Sequence, residues 1–225
     1  MCFSAPVSFV AGGVLTAGGV MTLKKVRDKT ELPFALFPLI FGIQQIIEGF
    51  VWVSFGSVWF NTAMSYAFVL FPHVFWPIWL PFAIMTLEHD QIRRKILVFF
   101  FGIGVAVGFS QLYIICTVPV YSLIAGNSIV YIVPESFANI LMILYLMTVC
   151  LCCAFSSHRY VKIFGLALFI SFFIAFQFYT VSCFSVWCFF SALLSVIIYL
   201  HFSLRPPPDP PLKKIKLPKI PSFIK

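Results

Sequence analysis

Three polar side chains interrupt an apolar stretch at residues 33–54 and are the first candidates for chemistry. Gln44, Gln45 and Glu48 lie in its second half. Gln44 and Glu48 are four residues apart and therefore share one face of a helix, with Gln45 beside them. A carboxylate at bilayer depth is costly and is rarely left facing lipid. The sequence therefore predicts that this face turns toward other helices or water and forms part of a ligand-binding site.

His73 is the next candidate, because it and Glu48 are the ionisable acid–base groups well inside the apolar segments. It lies at a similar depth in the following segment. We expect the two side chains to be partners, with Glu48 as counter-ion or proton acceptor and the imidazole oriented by it. The alternative is that buried polar residues only join helices, through hydrogen bonds worth about 0.6 kcal/mol each.

Further polar side chains occur at the same depth in the later apolar segments. They are Ser110, Gln111, Tyr113, Asn139, Gln177, Tyr179, Cys188 and Ser191. By contrast, the inner halves of two of these segments are almost entirely apolar. This asymmetry predicts a polar cavity that opens to the outside, with Gln44, Gln45, Gln111 and Gln177 as its hydrogen-bonding walls.

A metal site has little support in the sequence. Catalytic zinc needs three protein ligands and an open position. Glu48 and His73 supply two at matching depth, Cys2 is the obvious third on the outer side, and the other three histidines lie at the inner side. We therefore assign no metal, no cofactor and no catalytic residue.

The composition places these residues in a membrane protein. The chain has 225 residues, of which 61% are hydrophobic and 10% charged, and its mean hydropathy is +1.03. Soluble domains carry about 25% charged residues. Continuous apolar runs of about 20 residues indicate transmembrane helices rather than the alternating, shorter segments of a β-barrel. The fold class is therefore all-α and polytopic.

Seven spans can be drawn from the apolar runs. They cover residues 6–23, 33–54, 64–87, 95–116, 136–156, 161–182 and 184–204. We expect a seven-helix transmembrane domain at 1–204, followed by a basic, proline-rich tail at 205–225. Prolines and the lack of an apolar core prevent the tail from folding as a helix.

The positions of the charges give the orientation. All 15 Lys and Arg fall between spans one and two, three and four, or five and six, or after span seven. Seven spans place all of them on one side, so the positive-inside rule predicts an outside N-terminus and a cytoplasmic C-terminus. The net charge of +8 therefore reflects topology rather than a nucleic-acid partner. The tail is expected to bind anionic lipids of the inner leaflet.

The third span and the loop after the fourth should be irregular. Pro72, Pro77 and Pro81 each remove a backbone donor, so this span should be bent or locally unwound. The loop has two β-prone stretches on either side of Gly126 and Asn127, which predicts a hairpin or a re-entrant lid. It would cover the outer mouth of the bundle or lie on the bilayer surface.

Small residues at helix–helix spacing predict two close backbone contacts. Gly13 and Ala17 would form one in the first span, and Gly104 and Gly108 would form another in the fourth. Small side chains at such positions allow helices in a membrane to approach closely.

The N-terminal region resembles a family of small, uncharacterised bacterial integral-membrane proteins. Members open with Met-Cys-Phe-Ser-Ala and carry Gln-Gln-x-x-Glu-Gly in the second helix. The matching positions here are Met1 to Ala5 and Gln44, Gln45, Glu48 and Gly49. The resemblance is clearest over the first 55 residues and implies no activity. It suggests that Cys2 and Ser4 belong with the Glu48 site, and it implies the bacterial cytoplasmic membrane as the location.

Two functions fit these features. We favour a non-enzymatic seven-helix membrane protein that binds or transports a small ligand, a small molecule or a lipid, through an outward cavity around Glu48 and His73. The alternative is a membrane-embedded hydrolase or lipid-modifying enzyme that uses Glu48 and His73 as acid–base or metal-ligand groups. A structural subunit whose polar face contacts a partner helix is a third interpretation.

Overall fold

A computed structural model describes residues 4–133 and 139–204 of the chain, and these residues are mostly helical. The helices are α1 (Ala5–Leu23), α2 (Leu32–Ala35), α3 (Phe37–Ser54), α4 (Val58–Leu70), α5 (Trp76–Leu87), α6 (Gln91–Thr117), α7 (Asn139–Val149), α8 (Arg159–Phe178), α9 (Cys183–Leu194) and α10 (Val196–Ser203). Strands β1 (Tyr121–Ala125) and β2 (Ser128–Ile132) form a hairpin. The expectation of an all-α bundle is confirmed, with this hairpin as an addition.

Six helical segments are long and apolar enough to cross a membrane. They are Ala5–Leu23, Lys29–Ser54, Val58–Leu87, Gln91–Thr117, Arg159–Phe178 and Thr180–Ser203. The chain is therefore a multi-pass membrane protein, as its composition predicts. Each of these segments corresponds to one predicted span, with ends that differ by a few residues.

The predicted span at 136–156 is shorter among the described residues. Here α7 is followed by a 3₁₀ helix at Leu151–Phe155, and the apolar helical part is Ile140–Phe155. The described residues thus give six full-length candidate spans and one short apolar helix in place of seven equal spans. The predicted tail at 205–225 lies outside the described residues.

The bundle has two distinct ends. At the basic end, the Ser157 amide of the α7–α8 loop donates to Glu88 of the α5–α6 loop, at 2.6 Å. His201 near the end of α10 packs against both Phe34 and His158 at the same end. The described Lys and Arg lie in these two loops, in the first turns of the helices that follow them, or in the segment between α1 and α2: Lys24, Lys25, Arg27, Lys29, Arg93, Arg94, Lys95, Arg159 and Lys162. The opposite end, which we call the hairpin end, carries β1 and β2.

The third predicted span is interrupted, as its prolines lead one to expect. Between α4 and α5, residues Phe71–Phe75 form a π-helical turn in which the Trp76 amide donates to the Phe71 carbonyl, five residues back. Pro81 has no N–H, so the Pro77 carbonyl loses its normal helical donor. A Cβ at Gly104 would overlap this carbonyl oxygen, so α6 contacts α5 there backbone to backbone.

The predicted contact of α1 uses a different face from the one expected. Nothing lies within 4 Å of a Cβ built on Gly13, whereas one built on Gly12 would lie 3.0 Å from the Gly42 carbonyl oxygen. A Cβ on Gly42 would in turn lie 2.8 Å from the Thr16 amide nitrogen. The Gly13–Ala17 prediction is therefore wrong by one residue, while Gly104 and Gly108 do lie at a close helix contact.

The hairpin packs on one end of the bundle. Its two-residue turn needs the left-handed backbone of Gly126, at φ +60°, which glycine adopts without a steric penalty. Tyr131 stacks on Phe68 of α4, with ring centroids 4.5 Å apart. Ser122 accepts a hydrogen bond from Ser65 at 2.8 Å, and Ser128 donates to Ser182 at 3.1 Å. The predicted hairpin is confirmed, and its inner face is buried.

An aromatic core fills the bundle beneath the hairpin. Phe41 stacks on Trp76 at a centroid distance of 4.1 Å, and Tyr145 packs edge-on against Trp187 at 5.9 Å. These side chains come from α3, α5, α7 and α9, so they tie four helices together. The polar residues of α3 lie next to this core.

Candidate functional site

Glu48 lies at the centre of a small polar cluster and is fully buried. The Ser185 hydroxyl of α9 donates to Oε1 of Glu48 at 2.7 Å. The Gln45 side-chain amide donates to Oε2 at 3.4 Å. Both carboxylate oxygens therefore accept hydrogen bonds from neighbours, which reduces the cost of burying an acid away from water.

Gln44 connects this cluster to the aromatic core. Its Oε1 accepts a hydrogen bond from Nε1 of Trp76, 2.8 Å away. Its side chain also lies beside the thiol of Cys188 on α9. Gln44, Gln45 and Glu48 are all fully buried, so the predicted inward face of α3 is the one the structure has.

His73 lies in the π-helical turn and is 3% exposed. Its Nδ1 is 3.1 Å from the Val69 carbonyl oxygen. A carbonyl can only accept, so Nδ1 carries the hydrogen, and in a neutral ring Nε2 is then an acceptor. The imidazole also packs against Phe184 of α9, with centroids 5.3 Å apart. The π turn thus brings His73 to the helix that supplies Ser185.

A small cavity of about 50 Å³ lies under the hairpin and is lined by both His73 and Ser185. Ile129 and Tyr131 of β2 form its cover. A water molecule needs roughly 10–15 Å³ of such space, whereas pockets for drug-sized ligands are about 300–1,000 Å³. The cavity therefore has room for water molecules or a small ion beside Ser185, which in turn contacts Glu48.

The structure brings together most, but not all, of the predicted site residues. Gln44, Gln45 and Glu48 form the cluster, and His73 joins it through the cavity shared with Ser185. Gln111 of α6 is fully buried. Gln177 is exposed on α8, so its side chain lies outside the buried cluster and is not a wall of the cavity.

Several polar residues at the predicted depth face away from the bundle. Ser110 and Tyr113 of α6 are exposed, and Ser110 donates to the Ala106 carbonyl of its own helix. The sequence analysis did not predict the rotation of α6 about its axis. The side chain of Asn139 lies outside the described part of the chain.

Ser185 and Trp76 are the site residues that the sequence analysis missed. Ser185 and Cys188 are three residues apart, so they lie on one face of α9, and both are buried. Helical spacing within the last apolar segment could have indicated this face. The Trp76 partnership with Gln44 depends on the packing of α5 against α3 and has no signal in the sequence.

The described residues contain no group of three or more His, Cys, Asp or Glu side chains placed to hold a metal ion. Cys2, the third ligand considered above, lies outside the described residues. Ser4 precedes α1 as its N-terminal flanking residue and is half-buried.

Comparison with known proteins gives a family but no activity. Residues 1–212 match the family of unknown function DUF6629. The chain belongs to this family. Nothing among the curated proteins and nothing among the solved structures matches it. The family assignment agrees with the expectation of an uncharacterised family, and the site must therefore be interpreted from its own geometry.

Proposed function

We propose that this DUF6629 member binds a small ligand, either a proton or a small monovalent cation. The ligand moves between the cavity and Glu48. The observation that carries the proposal is the position of Ser185. Its hydroxyl donates to Glu48 at 2.7 Å, and the same residue lines the small cavity with His73. A buried carboxylate within one side chain of such a cavity is typical of a proton or cation site.

The size of the cavity favours binding or transport over the enzyme alternative. At about 50 Å³ it is far smaller than pockets that hold organic substrates. An acid–base or metal-dependent hydrolase would need space for a scissile bond and a complete set of catalytic groups. Glu48 would coordinate the cation or accept the proton, Ser185 would connect it to the cavity, and His73 would be a second polar group in the cavity wall.

We further propose that the hairpin end faces the outside of a bacterial cytoplasmic membrane. The described Lys and Arg lie at the opposite end of the bundle, as the positive-inside rule requires of the cytoplasmic side. This orientation requires a seventh crossing, which the short helix Ile140–Phe155 would provide. An α-helical rise of 1.5 Å and a 3₁₀ rise of about 2.0 Å give Ile140–Phe155 a length of about 25 Å, close to the thickness of the hydrocarbon layer.

The test compares Glu48→Gln with Glu88→Gln, a matched control with a buried carboxylate at the basic end. Thermal unfolding of each full-length protein in lipid nanodiscs is followed in NaCl, KCl and choline chloride at equal ionic strength, from pH 5 to 8. A bound ligand raises the free energy of unfolding by RT ln(1 + [L]/Kd) and therefore raises the unfolding temperature. If the ligand is a cation, we expect the unfolding temperatures of wild type and Glu88→Gln to depend on which cation is present. If the ligand is a proton, they should depend on pH only. Glu48→Gln should lose this dependence.

Ser185→Ala is the second variant, because it keeps the carboxylate and removes only its contact with the cavity. It should weaken the response without abolishing it. An unchanged response in Glu48→Gln would refute the proposal. A covalent substrate adduct on Glu48 or Ser185, detected by intact-protein mass spectrometry, would favour the enzyme alternative.

A further inference from the structure

A second groove lies between α7 and α8, away from the Glu48 cluster. It has a volume of about 550 Å³ and opens on the outer surface of the bundle. Its walls are apolar, with Ile143 and Met147 from α7 and Leu166 and Phe169 from α8. Ile143 and Leu166 are 59% and 62% exposed, so the groove is open to the bilayer.

The groove has a charged group at one end. Among its described lining residues, Lys162 is the one charged side chain, and it lies in the first turn of α8 at the basic end. Arg159 begins the same helix three residues earlier and so lies on the same face. Both side chains are exposed, and the positive end of the helix dipole adds to their field.

We propose that this groove binds one acidic glycerophospholipid from the leaflet at the basic end. An acyl chain lies along Leu166, Phe169 and Ile143, and the anionic phosphate headgroup contacts Lys162 and Arg159. The groove is apolar along its length and has two basic side chains at one end. These features match the acyl chain and the anionic headgroup of such a lipid. Its volume lies within the range of pockets that hold small ligands.

The charge also argues against a protein occupant. A helix of a second copy packed along this groove would lie against Lys162 at the edge of the membrane and would need to supply a carboxylate there, because an unpaired charge in such an interface is costly. A lipid with an anionic headgroup satisfies Lys162 without this requirement and is present at high local concentration in the bilayer.

Native mass spectrometry of the full-length protein tests the proposal. Delipidated protein in detergent is titrated with phosphatidylglycerol or with phosphatidylcholine that has the same acyl chains. We expect wild type to bind phosphatidylglycerol more tightly, and Lys162→Gln to weaken that binding about fivefold, the factor expected for one basic side chain near an anionic headgroup. Phosphatidylcholine binding should change little.

Two further variants separate the groove from general surface charge. Lys95→Gln removes an exposed lysine from the start of α6 at the same end of the bundle and should leave the first, tightest lipid unchanged. Ala154→Phe keeps every charge and adds bulk to an exposed position that lines the groove, and should displace that lipid. Equal losses in Lys95→Gln and Lys162→Gln, or no effect of Ala154→Phe, would overturn the proposal, as would a dimer in place of bound lipid.

Discussion

At the scale of single residues, the two glutamates that are buried in the described part of the chain are stabilised in the same way at opposite parts of the fold. Glu48 accepts hydrogen bonds from Ser185 and Gln45. Glu88 accepts from the Ser157 amide and hydroxyl, at 2.6 and 2.9 Å, and from the Asp90 amide at 3.1 Å. In each case a serine from a distant segment of the chain supplies the shortest side-chain donor.

The pKa of Glu88 shows which effect dominates at the basic end. Burial by itself raises the pKa of this carboxyl, but the backbone bonds from Ser157 and Asp90, the Ser157 hydroxyl and the charge of His158 together outweigh it. The net result is a pKa below the ordinary value for Glu. The charged form is therefore the one that stabilises the folded state.

This shift predicts an acid-dependent loss of stability. The contribution of Glu88 is fully present above the ordinary Glu pKa of about 4.3 and is lost as the pH falls through its lower pKa in the folded protein. The difference in unfolding temperature between wild type and Glu88→Gln should therefore be largest near pH 6 and shrink toward pH 3. Thermal unfolding in nanodiscs across this range measures it, and a difference that grows in acid would contradict the prediction.

At the scale of elements, the interrupted helix α4–α5 determines how the site is assembled. The π-helical turn places His73 against Phe184 of α9 and leaves Trp76 at the start of α5, where it reaches Gln44. The Pro77 carbonyl, which lacks a helical donor at Pro81, lies against Gly104 of α6. One irregular segment therefore contacts three neighbouring helices, and its geometry should be sensitive to changes on any of them.

Gly104→Ala tests this packing. The added Cβ would overlap the Pro77 carbonyl oxygen, so the helices must separate, and we expect destabilisation of about 1–3 kcal/mol, the usual cost of overpacking. Gly102→Ala is the matched control on the same helix, because nothing lies within 4 Å of a Cβ built there. Unfolding temperatures of the two variants should differ clearly. Equal stability would mean that α5 and α6 do not approach as closely as described.

At the scale of the whole molecule, the number of crossings decides on which sides the two termini lie. Six full-length spans and the shorter Ile140–Phe155 helix alternate along the chain. If the short helix crosses the membrane, the N- and C-termini lie on opposite sides. If it does not, they lie on the same side.

Site-specific labelling gives the answer. Asn127→Cys in the hairpin turn and Asp28→Cys in the loop after α1 place thiols at the two ends of the bundle, on a background in which Cys2 and the exposed Cys116 are replaced by serine. We expect a membrane-impermeant maleimide to label Cys at position 127, but not at position 28, in intact cells. A C-terminal tag should be protected from external protease. Labelling at position 28, or cleavage of the tag, would contradict the proposed orientation.

The sequence by itself determined that this is a helical membrane protein. Apolar length is a local property, since each helix must satisfy its own backbone in lipid, and the four-residue spacing of Gln44 and Glu48 fixed their common face. The hairpin and the interruption of α4–α5 also followed from local chemistry, through Gly126 and Pro72.

Only the tertiary structure decided which way each helix faces. In a membrane, core-facing and lipid-facing side chains are equally apolar, so hydrophobic pattern does not fix rotation about the helix axis. Gln177 is exposed although the sequence analysis placed it in the cavity wall, and Gly12 rather than Gly13 contacts α3. The bond from Ser185 to Glu48 joins residues 137 positions apart, and it exists because α9 packs beside α3.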